Sequence, residues 1–160
     1  AAPDGSSPDW ESEATYMTAG SGNTYRPGAG GHTGASVNMA QIPFTSWDTN
    51  VMHDDVYDTI GGSEMTFQFT VVTGTQYVVR LGLAELYAPT VDGGRVFHVD
   101  VDGVRPTVFT SIDRRVLAGG NGIATYLEHR VTASSTTLEL EFIHVTDNPA
   151  INAIEILRID

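Results

Sequence analysis

Alternation of apolar and polar residues with a period of two is the strongest regularity in the chain. Tyr77, Val79, Leu81 and Leu83 fall on one side of it, and Val78, Arg80 and Gly82 on the other. That spacing turns one set of side chains to one face of a strand. Phe97, Val99 and Val101 repeat the pattern against Val96, His98 and Asp100. Within Glu64–Val72, Met65, Phe67, Phe69 and Val71 alternate with Thr66, Gln68 and Thr70; within Thr136–Val145, Leu138, Leu140 and Phe142 alternate with Thr137, Glu139 and Glu141. Further strands are expected at Val56–Thr59, Val104–Ile112, Ile123–Val131 and Ile151–Ile159, with a short first one at Ala14–Thr18. Gln41–Trp47 reads as another short strand or as an apolar plug.

Turn signals separate these segments: Gly61-Gly62, Thr73–Gln76, Asp102-Gly103 (the pair favoured by two-residue hairpins) and Asn121-Gly122. About eight to ten short strands, with no convincing amphipathic helix, point to an all-β sandwich or barrel rather than an α/β fold. The first third, to about Asn50, has little periodicity and is rich in Gly, Ser, Thr and Asn. Its Gly20–Gly31 run is a loop; it lacks the spacing, the lysine and the strand–helix context of a phosphate-binding loop.

With 160 residues the chain is long enough to bury one full core without disulfides or metals. Residues 1–13, small, polar and proline-bearing, read as a linker or mature N-terminus, and residues 14–160 as a single domain. Neighbouring domains are compatible with such a start. The absence of cysteine removes thiolate zinc sites and cysteine nucleophiles. No apolar run approaches the roughly 18 residues that span a bilayer, so membrane insertion is not expected. Twenty acidic residues face eight basic ones, all arginine, for a net charge of -12. Such a charge repels nucleic acid and anionic membranes. A lysine-free acidic surface is also what a protein of a salt-adapted organism needs, because concentrated salt screens its self-repulsion.

Motifs for catalysis are absent: there is no G-x-S-x-G, no H-E-x-x-H and no Walker-type loop. Asp100 and Asp102 with His98 could form a metal site or an acid/base pair, and Glu139 with Glu141 a glycosidase pair, but a solvated strand face is the simpler reading of both; Asp54-Asp55 beside His53 could ligate a cation, on spacing alone. A glycosidase would need two carboxyls facing each other across a cleft. A binding role has more behind it. Sugar sites use aromatic faces against the apolar side of a pyranose, and carboxylates and amides to orient its hydroxyls. Residues of those types near predicted strand ends are Tyr57, Glu85, Tyr87, Asp147 and Asn148. Each tyrosine has the alternative of a half-buried corner residue, Glu85 that of pairing with Arg95 or capping loop amides, and Asp147-Asn148-Pro149 that of a plain turn.

Four segments in order resemble the malectin and malectin-like carbohydrate-binding domains. Tyr77–Glu85 is similar to that family's Y-x-V-x-L-x-F-A-E, and Gly94–Gly103 to its G-R-V-F-D-V-x-x-x-G. Asn148–Ile156 is similar to its N-P-x-I-N-A-I-E-I, and Val56–Thr59 to its L-Y-x-T. The resemblance implies a jelly-roll-like antiparallel β-sandwich that binds carbohydrate without catalysis at loops on one end, with a glucose-containing or other oligosaccharide as ligand. Position by position, Tyr57 matches the aromatic of L-Y-x-T, Tyr87 the first of two adjacent aromatics after A-E, and Asp147 the acidic residue before N-P. Ala88 stands where the second aromatic falls, and the N-terminal third matches little. The expectation is a non-enzymatic lectin-like module of a larger secreted or cell-surface protein. The alternative is a structural or adhesive subunit of a surface filament or cell envelope that keeps the fold without sugar binding. No cofactor is expected; a structural calcium, held by the Asp- and Asn-rich loops, is the open alternative.

Overall fold

The computed structural model describes residues 10–25 and 36–159. Ten strands run through them: β1 (Met17–Ala19), β2 (Asn23–Tyr25), β3 (Asp55–Tyr57), β4 (Met65–Thr70), β5 (Gln76–Ala84), β6 (Val96–Val101), β7 (Ala124–Thr132), β8 (Thr137–Thr146), β9 (Ala150–Ile151) and β10 (Ala153–Ile159). Two short helices, α1 (Thr49–Met52) and α2 (Arg114–Ala118), interrupt them. The strands form sheets in the orders β1-β4-β8-β6, β10-β5-β7 and β2-β3-β9, and every strand pairing within them is antiparallel. This is a jelly-roll-like antiparallel β-sandwich: the alternation points to an all-β sandwich or barrel, and the family resemblance to the jelly-roll-like form.

The core forms where the predicted apolar faces meet. Phe67 of β4, Leu138, Leu140 and Phe142 of β8, and Phe97, Val99 and Val101 of β6 belong to one buried cluster with Tyr77, Val79, Leu81 and Leu83 of β5. Phe142 is in edge contact with Phe67, ring centroids 5.6 Å apart. At the β6 end, Asp102 and Gly103 both take positive φ, 49° and 73°, and Val101 and Val104 exchange two backbone hydrogen bonds around them. That is the hairpin turn the Asp-Gly pair announces.

Strand β5 departs from simple alternation because it is buried on both faces. Its second face is covered by the aperiodic N-terminal part of the chain: Val37, Trp47 and Met52 form a second buried cluster with Ala84, Ala124 and Ala153, and Trp10, Phe44 and Tyr126 pack against it. Phe44 sits edge-on to both Trp47 and Tyr126, at 5.3 and 4.8 Å. Gly82 makes this layer fit. A Cβ there would lie 2.8 Å from the Trp47 ring, 2.9 Å from Ala153 Cβ and 3.0 Å from Met52 Sδ. Arg80 shares that face, its guanidinium 3.9 Å from the centre of the Phe44 ring. It pairs at 3.0 Å with both Glu128 and Glu155, its register partners on the flanking strands. The charge is therefore neutralised within the sheet before the aromatic layer closes over it.

Several expectations need correction. Val104–Ile112 is not a strand. Pro106 has no N–H for a ladder, and the chain instead makes a 3-10 turn at Thr107–Phe109 before Ile112 bridges back to Phe97. The detour sinks Phe109 and Ile112 into the core. Gln41–Trp47 is the plug rather than the strand. At the start, Glu13–Thr15 forms a 3-10 turn and the first strand begins at Met17. The closing segment is two strands, β9 and β10, broken at Asn152. Helices α1 and α2 escape periodicity because each is about a single turn, although each has an aspartate N-cap: Asp48 accepts from Val51 N, and Asp113 from Val116 N. Gly119, at φ 82°, ends α2. Within the expected Gly20–Gly31 loop, Asn23–Tyr25 is strand β2, paired with β3; residues 26–31 of that run and 1–9 of the expected N-terminal linker lie outside the described residues. Trp10 donates its indole N–H to Ser46 O at 3.0 Å.

Candidate functional site

Helix α2 delivers one residue that organises the loop end of the sandwich. Arg114 is 1 % exposed. Its guanidinium donates to Asp55 Oδ2 at 2.8 Å, Glu85 Oε2 at 3.1 Å and Asn152 Oδ1 at 3.3 Å. Glu85, fully buried, is shared with a second arginine: Arg95 Nε lies 3.2 Å from the same Oε2. Burial pushes the Asp55 carboxyl above its usual range, against the pull of Arg114 and Arg95 and with a further push from Glu85. For Arg114 burial works against the charge, and Asp55 and Glu85 outweigh it, so the guanidinium is held charged above its usual range. Two arginines and two carboxylates thus form a sealed network in which no buried charge lacks an opposite partner, the condition under which burial is tolerated.

Arg95 extends this network outward. It donates to Asn148 O at 3.0 Å and faces Asp147 Oδ2 at 3.7 Å. Asp147 adopts φ 54° in the turn between β8 and β9 and is exposed. Asn148 caps a neighbouring loop, accepting from Ile60 N at 3.1 Å. Tyr87 N donates to Glu85 Oε1 at 3.0 Å, so the buried glutamate also fixes the start of the exposed Tyr87–Pro89 loop. The side chain of Asn121 holds the same loop by donating to Ala88 O at 2.9 Å. Tyr57 is half-buried at the end of β3, opposite Ala150 in register.

Four of the five sequence-nominated residues, Glu85, Tyr87, Asp147 and Asn148, are therefore tied to one another through Arg95 and Glu85, and Tyr57 stands one register pair from Pro149, whose carbonyl accepts from Asp58 N at 3.0 Å. Their exposures differ. Tyr87 and Asp147 face solvent, Tyr57 and Asn148 are half-buried, and Glu85 is sealed by its two arginines. Asp55, Arg114 and Asn152 escaped sequence reasoning. Asp55 belongs to the run His53-Asp54-Asp55, and nothing in the spacing of positions 55, 85, 114 and 152 announces their meeting.

A groove of about 550 Å³, with Trp10, Tyr16, Phe69 and Ile154 among its lining residues, reaches Asp55 and Asn152 of this network from the side. Tyr16 stacks on Phe69 at 4.9 Å and donates its hydroxyl to Glu11 at 2.8 Å. None of the five nominated residues lines it. The remaining acidic groupings are surface structure: Asp100 pairs with Arg105 at 2.7 Å, His98 Nδ1 accepts from Ser111 N at 2.8 Å, and Glu139 accepts from Gln68 at 2.7 Å.

The architecture is that of a β-sandwich whose exposed polar and aromatic groups sit on loops fixed by a buried arginine–carboxylate network. The chain belongs to the malectin domain family, whose model matches residues 14–154. The structure is similar to the extracellular domain of ANXUR1 from Arabidopsis thaliana, with a TM-score of 0.80 and 18 % identity over 94 % of this chain and 42 % of that one. It is similar also to the ANX2 ectodomain of the same plant, with a TM-score of 0.79 and 20 % identity over 94 % of this chain and 44 % of that one. A third similar structure is that of the plant peptide RALF23 in complex with FER and LLG2, with a TM-score of 0.79 and 16 % identity over 94 % of this chain and 43 % of the matched one. At these identities the likeness is one of fold, and the chain spans less than half the length of each matched structure. No curated protein matches the chain. Among the described residues no helix is long and apolar enough to cross a membrane.

Proposed function

We propose that this domain is a non-catalytic carbohydrate-binding module of an extracellular or cell-surface protein, and that it reads sugar at the loop end around Tyr87 and Asp147. The observation that carries this reading is the bridge made by Arg95 between the buried Glu85 and the exposed Asp147. An exposed carboxylate and an exposed tyrosine, both tied to Glu85, Asp147 through Arg95 and Tyr87 through its amide, supply the two groups that a pyranose needs. The ring stacks its C–H face on the aromatic, and a hydroxyl donates to the carboxylate. Tyr57 and Asn148 complete the rim, while Glu85 acts as a positioning residue that holds Arg95 and the Tyr87 loop. Net charge of -12 favours neutral over anionic glycans. Titration calorimetry with glucose-, galactose- and mannose-containing oligosaccharides, at low and high salt, tests it. Saturable heat with at least one class supports the reading, and no heat with any of them overturns it.

A second reading, attachment to a protein or peptide partner without sugar recognition, is favoured by Ala88. This small residue stands next to Tyr87, where a second ring would widen a stacking platform. One of the similar structures is a peptide complex by its title. An adhesive or filament role belongs to this reading, and it predicts that Tyr87→Ala affects assembly and not sugar titration.

A further inference from the structure

Asp58 is as deeply buried as Glu85 yet is balanced differently. Its Oδ1 accepts from Ser21 N and Ser21 Oγ, at 2.7 and 2.8 Å. Its Oδ2 is buried with no hydrogen-bond partner, and the residue is 0 % exposed. Asp55 and Glu85 each have an arginine; among the described residues no arginine pairs with Asp58 or Glu64. A buried carboxylate oxygen with neither donor nor cation is costly. On β8, His144 directs Nδ1 to Glu64 Oε2 at 2.5 Å, and its Nε2 is buried without a partner. One ligand atom from each of Asp58, Glu64 and His144 lies within 4.8 Å of the others.

We propose that Asp58, Glu64 and His144 form a binding site for a divalent transition-metal cation, with zinc the best fit. The donor set is one imidazole nitrogen and two carboxylate oxygens. Imidazole suits zinc, and calcium instead gathers six to eight oxygens. Two atoms that both lie about 2.1 Å from one ion are at most about 4.2 Å apart. Gathering the three atoms on one ion therefore asks a side-chain adjustment that closes separations of up to 4.8 Å and opens the 2.5 Å His144–Glu64 contact to admit the ion. Water or a further ligand completes the coordination. The orphaned Oδ2 of Asp58 then gains its missing partner, and the carboxylates gain a counter-charge.

The site has a mechanical consequence. Asp58 directly follows β3 and Glu64 directly precedes β4, so an ion bound to both closes the loop between them and ties it to β8. That loop also holds Thr59 N on Ser21 Oγ at 2.8 Å and Ile60 N on Asn148 Oδ1 at 3.1 Å. Zinc would rigidify the Asn148 turn from beneath, whatever ligand that turn serves.

The test is equilibrium dialysis and thermal melting of the chelator-stripped full chain with zinc, manganese or calcium chloride. The expected result is one zinc per chain and a melting temperature raised by several degrees, roughly the shift saturating ligand gives a domain of this size. Calcium should give no comparable shift. His144→Gln and Glu64→Gln should weaken zinc at least about 10-fold. Asp58→Asn, which removes the unpaired buried charge, should match or exceed the wild type's melting temperature without metal and show no zinc shift. Absence of stoichiometric zinc or manganese, a shift with calcium alone, or a zinc shift that persists in His144→Gln would overturn the proposal.

Discussion

Replacing Arg114 by methionine removes the cation at the centre of the sealed network and keeps an unbranched side chain of comparable length. Two carboxylates are left behind. Glu85 keeps Arg95 at 3.2 Å and the Tyr87 amide at 3.0 Å, but Asp55 loses its only directly bonded arginine. Removing one partner of a buried pair costs about 3–5 kcal/mol, most of it from the charge left unpaired. That is a large share of the roughly 5–15 kcal/mol that holds a domain together. Urea unfolding followed by tryptophan fluorescence reads it, since Trp10 and Trp47 sit in the layer above the sheet. The midpoint should fall steeply with little change in slope.

Asp55→Asn is the informative second variant. Paired with Arg114→Met, it should recover part of the loss, with a coupling of more than about 1 kcal/mol, as contacting groups show. The pH dependence follows from the raised folded pKa of Asp55. The folded state holds the proton more tightly than the unfolded one, so this group's contribution to stability falls as pH rises from the unfolded carboxylate range through the raised folded value. Without Arg114 that window extends upward, and Arg114→Met should recover relative to wild type as pH drops below neutrality. A loss below about 1 kcal/mol, strict additivity with Asp55→Asn, or a deficit that grows toward acid would refute the reasoning.

Three further outcomes follow from other parts of the fold. Gly82→Ala, whose Cβ meets Trp47, Ala153 and Met52 at 2.8–3.0 Å, should cost about 1–3 kcal/mol by overpacking and change tryptophan emission; unchanged stability would show that the N-terminal layer is loosely seated. Asn152→Ala strips donors from Met52 O and Asp54 O and the acceptor from Ala84 N, so denaturation should register a loss of about 2–3 kcal/mol or more. Burial, with Arg105 acting in the same sense and Asp100 against it, lowers the pKa of His98, whose Nδ1 accepts from Ser111 N. That contribution is complete above the unfolded histidine pKa and is lost as pH falls through the folded one, so wild type should lose more stability than His98→Gln between pH 7 and 5.

The alternation of β4, β6 and β8 could be read from the sequence because one face of each meets the core and the other meets water. Strand β5 carried the same signal on its core face, but its second face is covered by Trp47 and Met52 from segments without periodicity. That layer is built from single anchoring side chains joined by loops, and no repeat announces it. Val104–Ile112 misled because its apolar residues are real core residues; Pro106 decides that they arrive on a 3-10 turn.

At the loop end, Glu85, Tyr87, Asp147 and Asn148 were visible as residue types near strand ends, and Arg95 links them. Glu85 and Asn152, both within the segments that match the family motifs, turn out to hold the scaffold: one accepts from Arg114 and pairs with Arg95, the other sits at the break between β9 and β10. Asp55 and Arg114 stayed hidden because their partners are tens of residues away and each sits beside a half-buried neighbour of the same charge.

A comparative sugar titration separates the exposed rim from the rest of the surface. Wild type, Tyr87→Ala, Asp147→Asn and Tyr16→Ala, a residue of the separate groove, would be titrated with the best-binding neutral oligosaccharide. Losing one stacking face costs about 1 kcal/mol, roughly fivefold in affinity. Losing a charge-assisted hydrogen bond costs about 1.5–3 kcal/mol, roughly 10- to 100-fold. Tyr87→Ala and Asp147→Asn should therefore bind more weakly by these amounts at unchanged melting temperature, with Tyr16→Ala unaffected. Sugar binding that survives both rim changes, or that is lost with Tyr16→Ala alone, would place the sugar site away from Tyr87 and Asp147.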